Sequence, residues 1–231
     1  MPILLAATAR KYKLILVRIL AIDTSSSLGS VALIADGHLQ TLAPAPGQRY
    51  SLELMPCIER LLAGQGQSVR DLDALAVAVG PGAFTGLRVG IGTAQGLALG
   101  LGLPCVGVNT FEAWTELHRG EPLLGVTLDA LRGEVLAGLF EGGVARRSPR
   151  NLAPEAFASE VPPHTLFTGG GVQVHRAAIE AHAASPRFDE SPGYLAGAVA
   201  EVARRALQAG ARGAARDLRP LYLREAYARL P

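Results

Sequence analysis

The chain has 231 residues, 49% of them hydrophobic and only 5% aromatic, with 27 glycines, so it can bury an aliphatic, tightly turned core. Its formal net charge of +2 is too balanced for a dedicated nucleic-acid-binding protein. Both lysines, Lys11 and Lys13, lie near the N-terminus, which excludes a Walker lysine, a Schiff base and a Ser-Lys dyad from the rest of the chain.

The N-terminal segment, residues 1–17, is a poor signal peptide, because basic residues interrupt its apolar run and no small-residue cleavage site follows. No other segment is apolar over a length that would span a membrane. Cys57 and Cys105 both lie in apolar surroundings, which indicates buried thiols in a reducing compartment rather than a disulfide. We therefore expect a cytoplasmic protein.

The first half of the chain predicts an α/β unit. Three strands open it, and the turn Asp36-Gly37 is typical of a tight hairpin between the second and the third. Two longer helices, with Ser51 and Thr85 as the expected N-caps, alternate with further strands. The predicted strands are Arg18–Thr24, Ser30–Ala35, His38–Ala43, Ala74–Val79 and Cys105–Val108, and the predicted helices are Ser51–Ala63, Thr85–Leu101 and a short one that opens at Thr110.

The second half repeats this opening, which predicts a duplicated α/β domain with a cleft between the halves. We expect an extension outside the fold at 1–17, an N-terminal subdomain at 18–112 and a smaller, degenerate C-terminal subdomain at 113–231 whose last helix returns to the first. The predicted strands are Leu123–Leu128, Glu134–Phe140, Val144–Arg147, Thr165–Gly171 and a final one in RPLYLRE, and the predicted helices are Val172–His182 and Ser191–Ala209.

The residue types that carry metal or hydrolytic chemistry are not suitably arranged. His175 and His182 share a predicted helix but lie roughly 10 Å apart along its axis, too far to hold one ion, so we interpret the histidines as surface residues. No G-x-S-x-G nucleophile elbow occurs. Asp23, at the end of the first strand, fits two roles equally well: a ligand of a metal–nucleotide complex or a cap of its own turn.

The stretch GPGAFTGLRVGIGTAQG, residues 80–96, has neither Walker nor dinucleotide-fingerprint spacing. Its helix instead carries two stripes of small residues, Gly86, Gly90 and Ala94 on one and Gly92, Gly96 and Gly100 on the other. Each helical glycine costs about 1 kcal/mol relative to alanine. Two such stripes therefore predict close approach of other backbones on two faces.

From Arg18 onward the chain resembles the TsaB family of tRNA threonylcarbamoyladenosine biosynthesis proteins. The motifs that carry the resemblance are the stretch at residues 80–96 together with ILAIDTSS, SVAL, GEV and the C-terminal P-YLR. The resemblance implies the duplicated actin–sugar kinase–Hsp70-like fold. It also implies a non-catalytic scaffold, a degenerate paralogue of the catalytic subunit TsaD, without a metal or another cofactor. The phosphate turns are eroded, which predicts a vestigial nucleotide cleft at Asp23, Thr24, Ser25, Asp129, Gly169 and Gly170.

The implied partners are a TsaD-like catalytic subunit, a TsaE-like ATPase and, through the complex, tRNA. We expect the TsaD-like subunit to pack on the two N-terminal helices, and a homodimer to form through the same surface when the partner is absent. The residues predicted to bind the partner are Leu52, Met55, Glu59, Leu62, Gly86, Gly90, Ala94 and Leu97.

Two departures from the family pattern stand out. Tyr50-Ser51 replaces the His-Ser or His-Thr that often precedes the first helix, and residues 1–16 have no counterpart, which indicates Val17 as the natural start and predicts that the extension is dispensable. Two other functions stay open: a nucleotide-hydrolysing enzyme of the same fold and a glycoprotease-like hydrolase. The arginine-rich region from Glu201 to Pro231 fits a solvated helix face or an RNA-contacting patch.

Overall fold

The computed structural model describes residues 18–45 and 50–222, and its chain alternates strands and helices in two similar halves. The strands are β1 (Ile19–Asp23), β2 (Ser30–Ala35), β3 (His38–Leu42), β4 (Ala74–Gly80), β5 (Cys105–Asn109), β6 (Leu123–Asp129), β7 (Val135–Glu141), β8 (Val144–Leu152), β9 (Leu166–Thr168) and β10 (Arg187–Phe188). The helices are α1 (Tyr50–Ala63), α2 (Phe84–Leu101), α3 (Thr110–Leu117), α4 (Pro154–Glu160), α5 (Gly170–His182) and α6 (Ala196–Gln208).

Each half contains a five-stranded mixed sheet, with strand orders β3-β2-β1-β4-β5 and β10-β9-β6-β7-β8. In both sheets the first three strands of the half are antiparallel, and the remaining two continue the sheet in parallel beside the first strand. The turn at Asp36 and Gly37 has φ values of 51° and 81°, as the predicted hairpin requires. The predicted duplicated α/β fold is therefore confirmed.

Strand β1 is buried on both faces, and its alternating side chains enter two different hydrophobic clusters. Leu20 and Ile22 pack with α1 and α2 on the outer face of the first sheet. Ile19 and Ala21 pack with α3 and α6, and the same cluster includes Val126 of the second sheet. A third cluster joins the outer face of the second sheet to α4 and α5. The layers therefore run α1/α2, first sheet, α3/α6, second sheet, α4/α5.

Helix α6 comes from the second half of the chain but packs on the first sheet, where it contacts β1, β2, β4 and β5. The small side chains Ala196, Ala200 and Ala203 are fully buried there and allow close approach to the strands. Its first amide, that of Ala196, donates a 3.1 Å hydrogen bond to Ser30 Oγ of β2. The two halves therefore share one central hydrophobic layer.

Several predicted boundaries were wrong. Helix α2 begins one residue before Thr85, with Ala83 at its N-cap position and no side-chain cap. Helix α6 begins at Ala196 rather than at Ser191. The subdomain boundary predicted between residues 112 and 113 lies within α3, Thr110–Leu117, and stays a prediction.

Other parts of the chain differ in secondary structure from the prediction. Helix α4, Pro154–Glu160, was not predicted, since only a Pro-rich connection was expected there. In the described part of RPLYLRE, Tyr222 forms a single parallel bridge to Gly82 instead of a strand. Residues 1–17 and the remainder of that motif lie outside the described residues.

The described residues answer two questions that the composition raised. Both cysteines are buried and unpaired, as predicted. Within 18–45 and 50–222, no helix combines the length and the apolar character needed to cross a bilayer.

Candidate functional site

A cleft of about 630 Å³ opens between the two halves at the C-terminal ends of β1 and β6. Ser25 comes from the turn after β1 and Asp129 from the end of β6, while Gly170 begins α5. These three residues were predicted to lie in a common cleft, and the fold brings them together. The residues that line it are Ser25, Ser26, Ser27, Gly82, Ala83, Phe84, Thr85, Gly86, Thr110, Trp114, Leu128, Asp129, Ala130, Leu131, Gly170, Gln173, Val174 and Tyr222.

The carboxylate of Asp23 caps its own turn instead of facing the cleft. Its side chain is fully buried, and its Oδ1 accepts a 2.9 Å hydrogen bond from the Ser25 amide. Burial raises the pKa of the Asp23 carboxyl, and hydrogen bonds from Ser25 and from the Leu195 amide oppose that rise only in part. Of the two roles that the sequence left open, the geometry favours the turn cap.

The Thr24 side chain also forms its hydrogen bond within the fold. Its Oγ1 donates a 2.7 Å hydrogen bond to the carbonyl oxygen of Gly86 in the first turn of α2. A Cβ atom on Gly90 would collide with the same hydroxyl. Thr24 therefore fixes α2 against β1, and Thr24 and Asp23 both stand behind the cleft wall rather than in it.

Asp129 supplies the cleft's acidic group. Its Oδ1 accepts a 3.0 Å hydrogen bond from the Leu131 amide, and His175 Nε2 lies 3.6 Å from the same oxygen. The imidazole is mostly buried and stands where α5 departs from helical geometry, with φ −117° and ψ 17°. Sequence reasoning placed His175 at the surface and missed this pair, because the contact spans 46 positions along the chain.

The two glycines of the second half differ in role. Gly169 has φ 101°, and an added Cβ would collide with the carbonyl oxygen of Thr127, so this glycine lets β6 and α5 approach. Gly170 lines the cleft, and an added Cβ there would meet no atom within 4 Å. Of the six residues assigned to the vestigial cleft, Asp23, Thr24 and Gly169 therefore support its walls from behind.

The rim of the cleft is aromatic. The rings of Phe84 and Tyr222 lie 4.8 Å apart, centroid to centroid. The guanidinium of Arg88 sits 3.9 Å from the Phe84 centroid, and its Nε donates a 3.0 Å hydrogen bond to Tyr222 Oη. The C-terminal segment is thereby held against the start of α2, which sequence reasoning did not find.

The chemistry available in this cleft is limited. Among the described residues that line it, Asp129 is the one charged side chain, and no arginine, lysine or histidine is present. A polyphosphate would therefore meet no cation among these described lining residues. No group of three or more His, Cys, Asp or Glu side chains in the described chain is arranged to hold a metal ion. The cleft is better suited to apolar and neutral groups.

A second polar network, also missed from the sequence, surrounds His118. Its Nε2 lies 3.0 Å from Thr168 Oγ1 and 3.0 Å from Asp189 Oδ2, and its ring stacks on Trp114. Partial burial acts to raise the pKa of Asp189, but hydrogen bonds from Ser191 and Thr168 and the nearby His118 outweigh it and lower that pKa. Three segments distant in sequence, around residues 114–118, 168 and 189–191, are thus tied together.

The residues predicted to bind the partner differ in their exposure, and those that are buried must be removed from that surface. Leu52, Met55 and Glu59 are exposed on α1, but Leu62 is buried in the core. Gly86, Gly90 and Ala94 are also buried, because this stripe of α2 faces its own sheet. Leu97 is half-buried against the same cluster. A bulky side chain at Ala94 would therefore disrupt the core instead of an interface.

The other stripe of α2 faces outward. Added Cβ atoms on Gly92, Gly96 and Gly100 would meet no atom within 4 Å. Leu99 is 53% exposed on the same helix. Together with Leu52, Met55 and Glu59 of α1, these residues form a surface on one side of the first sheet, which we name the helical face.

Comparisons with known proteins agree on one family. The tRNA N6-adenosine threonylcarbamoyltransferase (TsaD) family matches residues 44–228. The tRNA threonylcarbamoyladenosine biosynthesis protein TsaB of Escherichia coli K12 is 42% identical over 123 residues, which is 51% of this chain and 52% of that protein. TsaB of Bacillus subtilis 168 is 34% identical over 125 residues, 53% of this chain and 55% of that protein. The matched region thus spans about half the length of these curated relatives.

A solved structure extends the similarity over most of the fold. The YeaZ protein of Pseudomonas aeruginosa superposes with a TM-score of 0.76 at 27% identity, covering 90% of this chain and 100% of that one. The similarity of the fold therefore includes both halves.

Proposed function

The chain belongs to the TsaB family, and on that basis we propose that it is a non-catalytic subunit of tRNA threonylcarbamoyladenosine biosynthesis that binds a TsaD-like threonylcarbamoyltransferase. In this role the chain provides a binding surface and does not itself catalyse a reaction. A TsaE-like ATPase joins the same assembly, and tRNA is reached through the complex.

The observation that carries the proposal is the state of the cleft. Where a nucleotide-hydrolysing member of the fold would present a carboxylate to a metal–phosphate group, Asp23 is buried and hydrogen-bonded to its own turn. The described lining also offers no cation to a phosphate. A cleft of this composition supports a binding role over turnover of ATP. The same absence of a metal cluster among the described residues disfavours a metal-dependent glycoprotease.

The partner surface in this proposal is the helical face. Leu52 is 73% exposed and Met55 39% exposed on α1, and Leu99 is 53% exposed on α2, so the helical face presents several large apolar side chains that another surface would cover. The outward glycine stripe of α2 permits a facing helix to approach closely. A partner helix pair would then complete a helical bundle across the interface.

Because the proposed partner is a paralogue, the helical face also pairs with a second copy of this chain. The isolated protein should therefore dimerise, and addition of the TsaD-like subunit should replace the homodimer with a heterodimer. Light scattering after size exclusion, with and without that subunit, distinguishes these states.

A charge on the helical face tests the interface directly. Met55→Glu should weaken binding to a purified TsaD-like subunit at least about tenfold, because a buried carboxylate without a partner is costly, while folding is retained since Met55 is solvent-exposed. Titration calorimetry measures the affinity. Leu117→Glu is the matched control, since Leu117 is also 39% exposed but lies on α3, on the opposite side of the first sheet.

Equal affinity of the Met55→Glu and unchanged proteins, with both folded, would overturn the assignment of the helical face. The non-catalytic role is tested separately by ATP turnover of the isolated chain with Mg²⁺. Turnover that disappears in Asp23→Ala would instead support the nucleotide-hydrolysing alternative.

A further inference from the structure

The lining of the cleft contains a buried hydroxyl that makes no hydrogen bond within the described fold. Thr110, the first residue of α3, is only 1% exposed and belongs to the lining. Its Oγ1 has no hydrogen-bond partner among the described residues. Because buried polar side chains in proteins are nearly always hydrogen-bonded, this hydroxyl indicates a ligand that contacts it.

The start of α2 lies at the same edge of the first sheet as Thr110. Asn109 of β5 pairs with Gly80 of β4, so the chain enters α3 beside the point where it leaves β4 towards α2. Ala83 occupies the N-cap position of α2, no described side chain caps it, and residues 83–86 line the cleft. The amides of an uncapped first turn and the positive end of the helix attract a negative group. This edge therefore provides a subsite for one carboxylate.

The second half of the chain supplies a negative group to the same cleft. Asp129, at the end of β6, is the one charged side chain among the described residues of the lining. The Leu131 amide and His175 both contact its Oδ1, so Oδ2 can accept a hydrogen bond from a ligand. An ammonium group is the complementary partner for this carboxylate.

Much of the remaining lining is apolar. Phe84, Leu131 and Val174 are large, exposed hydrophobic residues of the lining, and Trp114 also contributes to it. Apolar walls with a small number of polar groups are typical of small-molecule sites, and a volume of about 630 Å³ lies in their usual range. A ligand with one carboxylate, one ammonium group and an apolar side chain would match all three features and carry no net charge.

We propose that the cleft binds a free amino acid with an apolar side chain, in its zwitterionic form. The ligand carboxylate accepts hydrogen bonds from the Thr110 hydroxyl and the first turn of α2, and its ammonium group donates to Asp129. Its side chain packs on the apolar walls. The inference does not depend on the proposed function, since the cleft and the helical face are different surfaces.

L-Leucine and three analogues, each lacking one part of the molecule, test the three features separately. Titration calorimetry of the full chain should give a dissociation constant of about 1 mM or tighter for L-leucine. Isoamylamine lacks the carboxylate, isocaproate lacks the ammonium group and glycine lacks the side chain. Each should bind at least about tenfold more weakly than L-leucine.

Two substitutions test whether the binding occurs in the cleft. Thr110→Val removes the hydroxyl, and Asp129→Asn removes the charge but retains an oxygen for the Leu131 amide. Each should weaken L-leucine binding at least about tenfold. Thr115→Val, on the same helix but outside this lining, and Asp36→Asn, in the exposed hairpin turn, are the matched controls and should bind L-leucine unchanged.

Thermal melts distinguish a ligand-binding hydroxyl from a structural one. Thr110→Val breaks no hydrogen bond within the described fold, so its melting temperature without ligand should equal or exceed that of the unchanged protein. L-Leucine should raise the melting temperature of the unchanged protein but not that of Thr110→Val.

The proposal is overturned if L-leucine binds more weakly than about 1 mM, or if isoamylamine or isocaproate binds as tightly as L-leucine. It is also overturned if Thr110→Val binds L-leucine as tightly as the unchanged protein, because the ligand would then lie elsewhere. A lower melting temperature of Thr110→Val without ligand would show that the hydroxyl is bonded within the fold, which would remove the basis of the carboxylate subsite.

Discussion

At the scale of single residues, Asp23 is the position at which the structure distinguishes between two roles that the sequence left open. Its carboxylate is fully buried, one of its oxygens has no hydrogen-bond partner among the described residues, and burial raises its pKa. A carboxylate needed only to close a turn could be replaced by an amide, whereas one needed for metal–nucleotide chemistry could not. Substitution of Asp23 by asparagine therefore distinguishes the two functional hypotheses by its effect on stability as well as on activity.

The first prediction concerns the pH dependence of Asp23→Asn. Because the folded-state pKa of Asp23 is raised, its ionised form destabilises the fold at neutral pH, and protonation restores that stability as pH falls through the raised pKa. The free energy of unfolding of Asp23→Asn relative to the unchanged protein should therefore be most favourable at pH 7. It should become less favourable towards about pH 4, near the ordinary pKa of aspartate.

Urea unfolding of both proteins across this range measures the difference directly, and contributions from other titrating groups cancel in the comparison. Asp36→Asn is a suitable control, since Asp36 is exposed in the hairpin turn. A difference for Asp23→Asn that does not vary with pH would contradict the predicted burial of an ionisable carboxyl.

The second prediction concerns the two thiols. Both cysteines are 0% exposed, and burial raises the pKa of Cys105 to about 12, so its reactive thiolate is scarce at neutral pH. Neither thiol should react with a disulfide reagent in the native protein, and both should react at once in denaturant. Rapid labelling of one thiol under native conditions would show that its surroundings open readily.

At the scale of secondary-structure elements, helix α2 has two glycine-containing faces with opposite requirements. Gly90 lies against Thr24, whereas Gly92 faces open space. We expect Gly90→Ala to destabilise the protein, because the new methyl collides with a hydroxyl that already holds Gly86. We expect Gly92→Ala to stabilise it by up to about 1 kcal/mol, because alanine restricts the unfolded chain and favours the helix.

The two substitutions are matched in chemistry and lie on one helix, so thermal or urea unfolding of both gives an internal control. Similar changes in stability for the two variants would contradict the assigned orientation of α2. Gly92→Ala should also leave the monomer intact while reducing close approach on the helical face.

This helix also illustrates the limits of prediction from the sequence. The glycine pattern correctly predicted a helix, but of the two stripes expected to be closely packed only Gly86, Gly90 and Ala94 are buried, whereas Gly92, Gly96 and Gly100 face open space. Both stripes are built of small residues, so the pattern alone could not identify the one facing the sheet. The hairpin at Asp36-Gly37 was predictable because its signal is local. The start of α6 was not, since Gly193, with φ 68°, lies against the ring of Trp114, a contact that no local pattern contains.

At the scale of the whole molecule, α6 joins the two halves. It covers the inner face of the first sheet, and Arg205 pairs with Glu116 of α3 through two hydrogen bonds of 2.7 and 2.6 Å. We expect residues 18–120 expressed alone to be unfolded or aggregated, because Ile34 and Val108 on that inner face lose their cover.

Co-expression with residues 121–222, which contain α6, should restore a soluble complex. Circular dichroism and size exclusion of the two preparations measure this. A monomeric, cooperatively unfolding 18–120 fragment would show that the first half does not require the helix.

The same helix has a consequence for synthesis on the ribosome. All strands of the first sheet have been translated once Asn109 is added, yet the helix that covers its inner face is complete only at Gln208, roughly 100 residues later. At translation rates of about 5–20 residues per second, the inner face of that sheet stays uncovered for on the order of 5–20 seconds, until α6 has been synthesised. The nascent chain thus passes through a stage in which ribosome-associated chaperones have an apolar β-surface to bind, and slowing translation over the second half would lengthen that stage.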